Sequence, residues 1–297
     1  MVRPATTTCP ICQELGKSAL RIGDHEIAEC SGCAHRYLDA QLSTDHTERH
    51  YSDRYFDGGG AGYTNYLAQE HLVTSYGRRY ADVVKRHLPP GKLLDVGSAA
   101  GFFMKGFQEC GWEVTGIEPN RSMAAEAMTR FGLNTINAAI EDYDVSSTFD
   151  LVALVQVIAH FRDLTRAVEK ITAALRSGGF LLVEAWNFKS LPAEMFGAAW
   201  HEYSPPTVVN WFSPKSLNEL MRRSNLRRVG FGRPRKRITA RHAASLIGHS
   251  IAKLGGVGVP SSLLSAVPES IVLPYPSFDV FWALYQDRGE NSEIAEI

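Results

Sequence analysis

Short apolar runs alternate with stretches of helical periodicity between residues 92 and 186, and this alternation restricts the fold more than any other feature. The apolar runs are KLLDV, WEVTGIE, FDLVALV and GGFLLVEAW, and helices are predicted near residues 102–110, 122–131 and 164–175. Such alternation predicts an α/β fold with a mainly parallel sheet covered by helices on both faces. Ligands of these sheets bind beyond the carboxyl ends of the strands, so residues directly after the apolar runs are the functional candidates.

The loop after the first predicted strand, DVGSAAG at residues 95–101, indicates a nucleoside site without phosphates. Gly97 and Gly101 permit a tight turn and a close approach of the backbone to a ligand. The loop lacks the GxGxxG pattern of dinucleotide sites and the Lys-Ser/Thr pair of phosphate-binding loops, so neither NAD nor ATP fits it well. Glu118 ends the second apolar run and can accept hydrogen bonds from both hydroxyls of a ribose.

These residues resemble the class I S-adenosylmethionine-dependent methyltransferases, which have an acidic residue before a glycine loop and another after the next strand. The resemblance covers residues 92–186 and includes the turn RSGGFLLVE. It implies a Rossmann-like, seven-stranded methyltransferase sheet and S-adenosylmethionine as the cofactor. The cofactor-binding residues that it implies are Asp95, Gly97, Ser98, Ala99, Gly101, Glu118, Pro119, Ile140, Glu141 and Gln156. The sequence departs from the family at Ala99, usually a glycine, and at Ala139, where many members have an acid.

The resemblance also implies a role for individual residues around the cofactor. Ile140 and Glu141 take the place of the pair that frames adenine, and Gln156 lies beside the methionine part. His160 is placed on the substrate side. An imidazole has an unperturbed pKa near neutrality, so His160 is the candidate general base. The alternative for His160 is a helix-capping or core histidine.

A second group of candidates lies in the aromatic segment at residues 196–217, which follows the last apolar run. Its position beyond the strand ends predicts a loop that closes over the acceptor. The predicted substrate residues are Trp200, His201, Glu202, Tyr203 and Asn210. The alternative is that the aromatic residues pack a helix onto the sheet. That helix is predicted to begin with Ser213 as its N-cap and Pro214 in its first position.

Two CxxC pairs near the amino terminus, 17 residues apart, predict a zinc site. The predicted metal ligands are Cys9, Cys12, Cys30 and Cys33. A segment of about 40 residues buries too little surface to fold without such a metal. Four thiolates close the tetrahedral shell of Zn(II), so the zinc is expected to be structural, with a redox dithiol pair as the alternative. His25 and His35 are surplus to this site and are expected at the surface.

Changes in composition and periodicity divide the chain into five parts. The predicted parts are a zinc ribbon at 1–40, a linker and amino-terminal helix at 41–90, the cofactor-binding core at 91–238, a helical insertion at 239–276, and a last strand with an acidic tail at 277–297. The segment 45–66 has no clear period and is expected to be a linker or flexible arm. The insertion suits a lid, the surface of a homodimer or a hydrophobic acceptor pocket. Seven basic residues between 227 and 241 could grip a phosphate group, with a solvated edge as the alternative.

The leading interpretation is a cytoplasmic enzyme that methylates a small molecule such as a sugar, a nucleotide sugar or a secondary metabolite. The net charge of −1 disfavours nucleic acid as a partner. An RNA methyltransferase that grips its substrate with the ribbon and the basic residues is one alternative, and a non-catalytic binding module is the other. No apolar run suits a secretory signal, and residues 254–268 are too short to cross a bilayer, so no membrane association is expected.

Overall fold

The structure is a computed structural model that describes residues 4–58, 63, 65–145, 148–253, 263, 266–268 and 270–289. Its strands are β1 (Pro4–Thr8), β2 (Leu15–Ile22), β3 (His25–Cys30), β4 (Arg36–Leu38), β5 (Lys92–Val96), β6 (Glu113–Ile117), β7 (Asn134–Ile136), β8 (Phe149–Val155), β9 (Leu175–Trp186), β10 (Asn210–Trp211), β11 (Leu226–Gly232), β12 (Arg237–Thr239), β13 (Val272–Pro274) and β14 (Val280–Asp287). Its α-helices are α1 (His46–His50), α2 (Asp53–Asp57), α3 (Glu70–Val84), α4 (Phe102–Gln108), α5 (Arg121–Phe131), α6 (Leu164–Ala174), α7 (Leu191–Phe196), α8 (Pro214–Arg223) and α9 (Ala240–Lys253). The predicted acidic tail and part of the predicted insertion lie outside the described residues.

The central sheet has the strand order β11-β14-β9-β8-β5-β6-β7 in the described part of the chain. Strands β5 to β9 run parallel, whereas β14 pairs antiparallel with β9 and β11 pairs antiparallel with β14. In this register Asp95 lies between Gly116 and Ala153. The chain order reverses at β5, so a crevice opens at the carboxyl ends of β5, β6 and β8. The sheet confirms the predicted Rossmann-like α/β fold.

Helices cover both faces of this sheet because its strands present apolar residues on both sides. The neighbours Leu93 and Leu94 of β5 are both fully buried, and they belong to the cores on opposite faces. One core includes α3 and α4, and the other includes α6 and α8. Helices α3 and α4 approach closely at Gly77, where a β-carbon would collide with the carbonyl oxygen of Phe103. Among the helices described, none has the length and apolar content that a membrane span requires.

The amino-terminal residues form a small antiparallel sheet in the order β1-β2-β3-β4-β10. Its last strand, β10, comes from the aromatic segment 196–217, where the sequence predicted only a loop and a helix start. In this pairing Asn210 lies opposite Tyr37, and Trp211 lies opposite Arg36. The ribbon and the core are therefore joined by a shared sheet.

His35 is fully buried, although the sequence predicted a surface position. Its ring packs against Phe212 with the centroids 4.7 Å apart, and its Nε2 lies 3.2 Å from Oδ1 of Asn210. Asn210 is 175 residues further along the chain, so the local sequence around His35 carried no sign of the contact. The surface prediction for His35 was wrong for this reason.

The described part of the segment 45–66 forms α1 and α2 rather than the predicted flexible arm. Each helix has only five residues, which is too short to produce a visible period. Aromatic side chains hold the segment in place. Phe56 and Tyr66 are buried, and the ring of Tyr66 stacks on Phe102 with the centroids 5.3 Å apart. The segment therefore forms a wall beside the loop that follows β5.

Candidate active site

A cavity of about 280 Å³ lies at the carboxyl ends of β5, β6 and β8, where the strand order reverses. Its walls come from the loops after these strands and from the segment 45–66. The predicted cofactor residues that line the cavity are Asp95, Gly97, Ser98, Ala99, Glu118, Pro119, Ile140, Glu141 and Gln156. Gly101 is absent from this lining. The structure thus brings together nearly all the residues that the sequence assigned to the cofactor.

The loop between β5 and α4 turns through three residues with left-handed backbone conformation. Gly97, Ala99 and Gly101 have φ angles of 70°, 46° and 78°. A β-carbon on Gly97 would lie 2.6 Å from Cγ2 of Val157, so both the backbone and the neighbour require glycine there. Gly101 is the N-cap of α4, and a β-carbon on it would lie 2.7 Å from Cδ1 of Leu133. Gly101 is therefore required for packing beneath the loop.

Glu118, just after β6, is buried and lines the cavity. Its Oε2 accepts a hydrogen bond from the amide of Ala99, and its Oε1 accepts one from the amide of Asn120, each at 2.8 Å. Burial raises the pKa of Glu118 to about 7, and the two amide donors oppose this shift. Burial, and then the charge of Glu118, raise the pKa of Asp95 well above its usual range. Hydroxyl donors from a ligand would favour the ionised form of Glu118.

Two buried polar atoms of the cavity lining, Oγ of Ser98 and Nε2 of Gln156, have no hydrogen-bond partner among the described residues. Gln156 directly follows β8 and has a left-handed φ of 60°. A buried polar group without a partner costs about 1–3 kcal/mol. A ligand with polar groups beside Ser98 and Gln156 would remove this cost, so the cavity fits a polar cofactor of the predicted kind.

Ile140 and Glu141 follow β7 in a single 3-10 turn, and both are buried in the cavity wall. Oε1 of Glu141 accepts a hydrogen bond from the amide of Arg162 at 3.2 Å. Burial raises the pKa of Glu141, and the charge and amide of Arg162 oppose that shift. The pair thus combines an apolar side chain with a buried acceptor, which suits the edge and face of a nucleobase.

His160 lies in the 3-10 turn that follows β8 and lines the cavity. Its Nδ1 is 3.1 Å from the carbonyl oxygen of Thr207, which assigns the proton of the neutral ring to Nδ1. Tyr51 packs edge to face against the ring, with the centroids 5.3 Å apart. Burial lowers the pKa of His160, and the carbonyl groups of Thr207 and Gln156 oppose the shift. The imidazole is therefore neutral at pH 7, as a general base must be.

The part of the cavity beyond His160 is aromatic and contains a buried ion pair. Trp186 contacts the rings of His201 and Tyr275, with centroid distances of 4.8 and 5.9 Å. Nζ of Lys236 lies 2.5 Å from Oε1 of Glu184, which is fully buried. The carboxylate neutralises the lysine, so this region favours a largely uncharged ligand with a flat face.

Several residues of the lining were not predicted from the sequence. They are Tyr51, Tyr55, Tyr63, Tyr66, Tyr76, Trp186, Lys236, His242 and Tyr275. The available signal was the density of tyrosine and histidine in the segment 45–66, for which the sequence predicts a linker or flexible arm. The basic residues between 227 and 241 also divide: Lys236 and Arg237 line the cavity, whereas Arg227 and Arg228 are exposed on β11.

Three of the predicted substrate residues lie outside the cavity lining, so the structure does not bring them to this site. Trp200 and Tyr203 are buried in the core between the ribbon and the sheet, and Asn210 is buried in β10. These side chains pack against protein behind the cavity wall. His201 and Glu202 do line the cavity, with Nε2 of the first 3.5 Å from Oε1 of the second.

The four predicted metal ligands come together in the ribbon, with all four Sγ atoms within 4.8 Å of one another. The Cys9–Cys33 and Cys12–Cys30 sulfur separations are 3.6 and 3.2 Å. Zn–S bonds of about 2.3 Å in a tetrahedron place sulfur atoms about 3.8 Å apart, so the cluster fits the predicted metal. In both pairs the residue after the second cysteine is left-handed, which gives the two turns the same shape.

A family model described as a methyltransferase domain matches residues 68–229, which is more than half of the chain. The chain belongs to this methyltransferase domain family. The match begins just before α3 and ends within β11, so it contains the whole parallel part of the sheet and the loops around the cavity. The ribbon precedes the matched region of the methyltransferase domain.

Curated relatives named ubiquinone biosynthesis O-methyltransferase are similar to part of this methyltransferase. The relative from Bradyrhizobium sp. is 30% identical over 135 residues, which are 43% of this chain and 50% of the relative. The relative from Rhodopseudomonas palustris is 25% identical over 146 residues, which are 46% of this chain and 58% of the relative. The chain spans about half the length of the curated relatives it matches.

Solved structures resemble the methyltransferase over most of its length. One is the Burkholderia thailandensis 1,6-didemethyltoxoflavin-N1-methyltransferase with bound 1,6-didemethyltoxoflavin and S-adenosylhomocysteine. Its TM-score is 0.53 at 16% identity, with 91% of this chain and 98% of that chain covered. The YcgJ protein from Bacillus subtilis has a TM-score of 0.52 at 14% identity, with 73% and 99% covered. At sequence identities of 16% and 14%, the similarity shows a shared fold only.

Proposed function

We propose that the protein transfers a methyl group from S-adenosylmethionine to a small-molecule acceptor. The observation that carries this proposal is the cavity at the switch point of the sheet. It combines buried Glu118 with polar atoms of Ser98 and Gln156 that lack a hydrogen-bond partner within the described part of the chain. Glu118 would bind the ribose hydroxyls, Gln156 the methionine part, and Ile140 with its neighbour the adenine. The family match and the S-adenosylhomocysteine in the Burkholderia relative support this choice of cofactor.

When bound, S-adenosylmethionine supplies a methyl group on a positively charged sulfur, and the acceptor must approach this group opposite the sulfur. The residues of the chain contribute mainly by holding the acceptor in that geometry. With Nδ1 of His160 donating to Thr207, Nε2 is the nitrogen that takes a proton from an acceptor hydroxyl. Proton transfer of this kind contributes about 100- to 10,000-fold to a rate. The tyrosines of the segment 45–66 keep water from this region.

For the acceptor, we propose a ring-containing small molecule with a hydroxyl group, as found among sugars and secondary metabolites. The aromatic residues Trp186 and Tyr275 offer flat faces, and the paired Lys236 offers no net charge to attract a strongly anionic ligand. The curated relatives are named O-methyltransferases, which supports oxygen as the methylated atom. For the ribbon, we propose a structural Zn(II) ion held by the four cysteines.

The test begins with calorimetry of the zinc-loaded full chain against S-adenosylhomocysteine, for which one binding site is expected. Ring compounds with hydroxyl groups are then incubated with the protein and S-adenosylmethionine, and mass spectrometry detects a product with one added methyl group. We expect His160→Asn to bind S-adenosylhomocysteine normally and to lower turnover about 100-fold or more. The matched control is His71→Asn, because His71 is exposed on α3.

The outcomes separate the parts of this proposal. An absence of binding heat on folded protein would refute the cofactor assignment. Normal turnover in His160→Asn would refute the base and leave the cofactor assignment intact.

A further inference from the structure

The ribbon and the cavity contact the same short stretch of chain, residues 207–211, which we name the bridging segment. On the ribbon side, the amide of Leu38 donates to the carbonyl oxygen of Val209 at 2.9 Å. Strands β4 and β10 pair next to this bond. Nε2 of His35 lies 3.2 Å from Oδ1 of Asn210. A backbone hydrogen bond, a strand pairing and a side-chain hydrogen bond therefore hold the bridging segment against the ribbon.

On the cavity side, the bridging segment contacts three consecutive residues of the turn that follows β8. The carbonyl oxygen of Thr207 accepts from Nδ1 of His160 at 3.1 Å. The amide of Val209 donates to the carbonyl oxygen of Ala159 at 3.0 Å. Nδ2 of Asn210 donates to the carbonyl oxygen of Phe161, the residue after His160, at 3.0 Å. The turn that carries His160 is therefore held by the bridging segment.

The side chain of Asn210 forms a hydrogen bond on the ribbon side and another on the cavity side of the bridging segment. It is 4% exposed, so neither of its hydrogen bonds is easily replaced by water. Its oxygen faces the ribbon at His35, and its nitrogen faces the turn at Phe161. The turn begins directly after Gln156 and Val157, which line the cavity. A shift of Asn210 would thus reach the residues that surround the proposed cofactor.

We propose that metal binding by the four cysteines and cofactor binding in the cavity are coupled, with Asn210 as the positioning residue that links them. This inference rests on the proposed function. The metal would hold the ribbon strands that contact the bridging segment, and the bridging segment contacts the turn that carries His160 and follows Gln156. Coupling of two binding sites is reciprocal, so the cofactor strengthens metal binding by the same factor by which the metal strengthens cofactor binding.

The experiment uses the full chain loaded with Zn²⁺. The probe of the cavity is S-adenosylhomocysteine. The zinc dissociation constant is measured by competition with a chelator of known affinity, without the probe and at its saturation. We expect the probe to tighten zinc binding about fivefold or more in the unchanged protein. Asn210→Ala is expected to bind the probe more weakly and to lose this tightening. Circular dichroism verifies that the variant is folded.

Two further variants make the result specific. Thr165→Val removes another hydrogen bond between ribbon and core, from Oγ1 of Thr165 to the carbonyl oxygen of Pro10, which bypasses the bridging segment. It should retain the tightening. His35→Phe keeps a ring against Phe212 but removes the donor to Asn210, so it should lose the tightening by an independent change.

Each outcome decides whether metal binding in the ribbon and cofactor binding in the cavity are coupled. If the probe binds with normal affinity but leaves the zinc dissociation constant unchanged, the inference is overturned while the proposed function stands. If Asn210→Ala weakens zinc binding yet keeps the full tightening, Asn210 is merely structural and its linking role is wrong. If calorimetry finds no probe binding to the zinc-loaded protein, the proposed function fails first and the inference fails with it.

Discussion

Glu118 combines burial with a place in the cavity, so its ionisation and the binding of a ribose are linked. Burial raises its pKa to about 7 without a ligand, and hydroxyl donors would lower that pKa by stabilising the carboxylate. Affinity for S-adenosylhomocysteine should therefore be full above pH 7 and should fall as the pH drops below 7. Calorimetry at pH 6 in buffers of different ionisation enthalpy should detect protons released on binding.

The variant Glu118→Gln should bind S-adenosylhomocysteine at least tenfold more weakly and release no proton at this site, because an amide cannot ionise. Glu113→Gln is the matched control, since Glu113 is an exposed glutamate at the start of β6, the strand that precedes Glu118. Proton release that persists in Glu118→Gln would assign the titration to another group, such as Asp95.

Gly97 provides a second prediction for a single residue. Alanine there would have to adopt a φ of 70° and would place its β-carbon 2.6 Å from Cγ2 of Val157. We expect Gly97→Ala to lower the free energy of unfolding by about 1–3 kcal/mol. It should also weaken S-adenosylhomocysteine binding, because the displaced loop lines the cavity. Urea denaturation measures the change in stability, and calorimetry measures the change in affinity. Gly132→Ala is the control, because Gly132 also has a left-handed φ, of 63°, but a β-carbon there would meet no described atom within 4 Å. It therefore shows the effect of backbone strain without the collision.

The difference between local and distant contacts explains which site residues the sequence predicted. Gly97 directly follows the first apolar run and Glu118 ends the second, so their place at the strand ends could be predicted from periodicity. Asn210 was assigned to the substrate, although its side chain binds His35, 175 residues earlier. Nothing in the neighbourhood of either residue indicated that partner. The same limit applies to Lys236, which precedes β12 and whose partner Glu184 lies in β9, far away in the sequence.

At the level of elements, the start of α8 shows how local chemistry makes a boundary predictable. Oγ of Ser213 accepts a hydrogen bond from the amide of Ser216 at 3.1 Å, and Oγ of Ser216 accepts one from the amide of Ser213 at 2.9 Å. Pro214 occupies the first helical position, as the sequence predicted. All the partners lie within four residues, so the pattern is visible in the sequence.

This cap gives a prediction about stability alone. Ser213→Ala should lower the free energy of unfolding by about 1 kcal/mol, because the helix loses the acceptor for its first amides. Urea denaturation measures the change, and Lys215→Ala, an exposed position in the same turn, should change it by less than about 0.5 kcal/mol. Cofactor affinity should remain unchanged in both variants. A cap variant as stable as the unchanged protein would show that packing alone holds α8.

The elements that the sequence missed are short and depend on distant partners. β10 has two residues, and it exists because β4 offers a free edge to pair with. α1 and α2 have five residues each, and Phe56 of α2 packs in an apolar cluster with Phe102 of the core. A strand or helix this short produces no periodic pattern, so only the assembled structure reveals it.

On the scale of the whole molecule, the ribbon and the methyltransferase core share one apolar cluster. That cluster contains Cys9, Ile11 and Tyr37 of the ribbon together with Phe212 and Leu217 of the core. Cysteine spacing and strand alternation predict a ribbon at 1–40 and a core at 91–238. The contact between these two parts could not be predicted, because it depends on a two-residue strand and on side chains that pack between them.

A shared core implies that metal loss destabilises more than the ribbon. Zinc removal would release the four thiolates, unfold β1 to β4 and expose the face of the core that packs against them. We expect the thermal midpoint of the core, followed by near-ultraviolet circular dichroism, to fall by about 5 °C or more, because each kcal/mol lost shifts it by about 2–4 °C. Cys30→Ser should produce the same shift and lose the metal. Cys110→Ser, which alters a cysteine outside the cluster, should retain one zinc per chain and nearly the full midpoint. An unchanged core midpoint after complete zinc removal would mean that the two parts fold independently, and the shared sheet would then contribute little to stability.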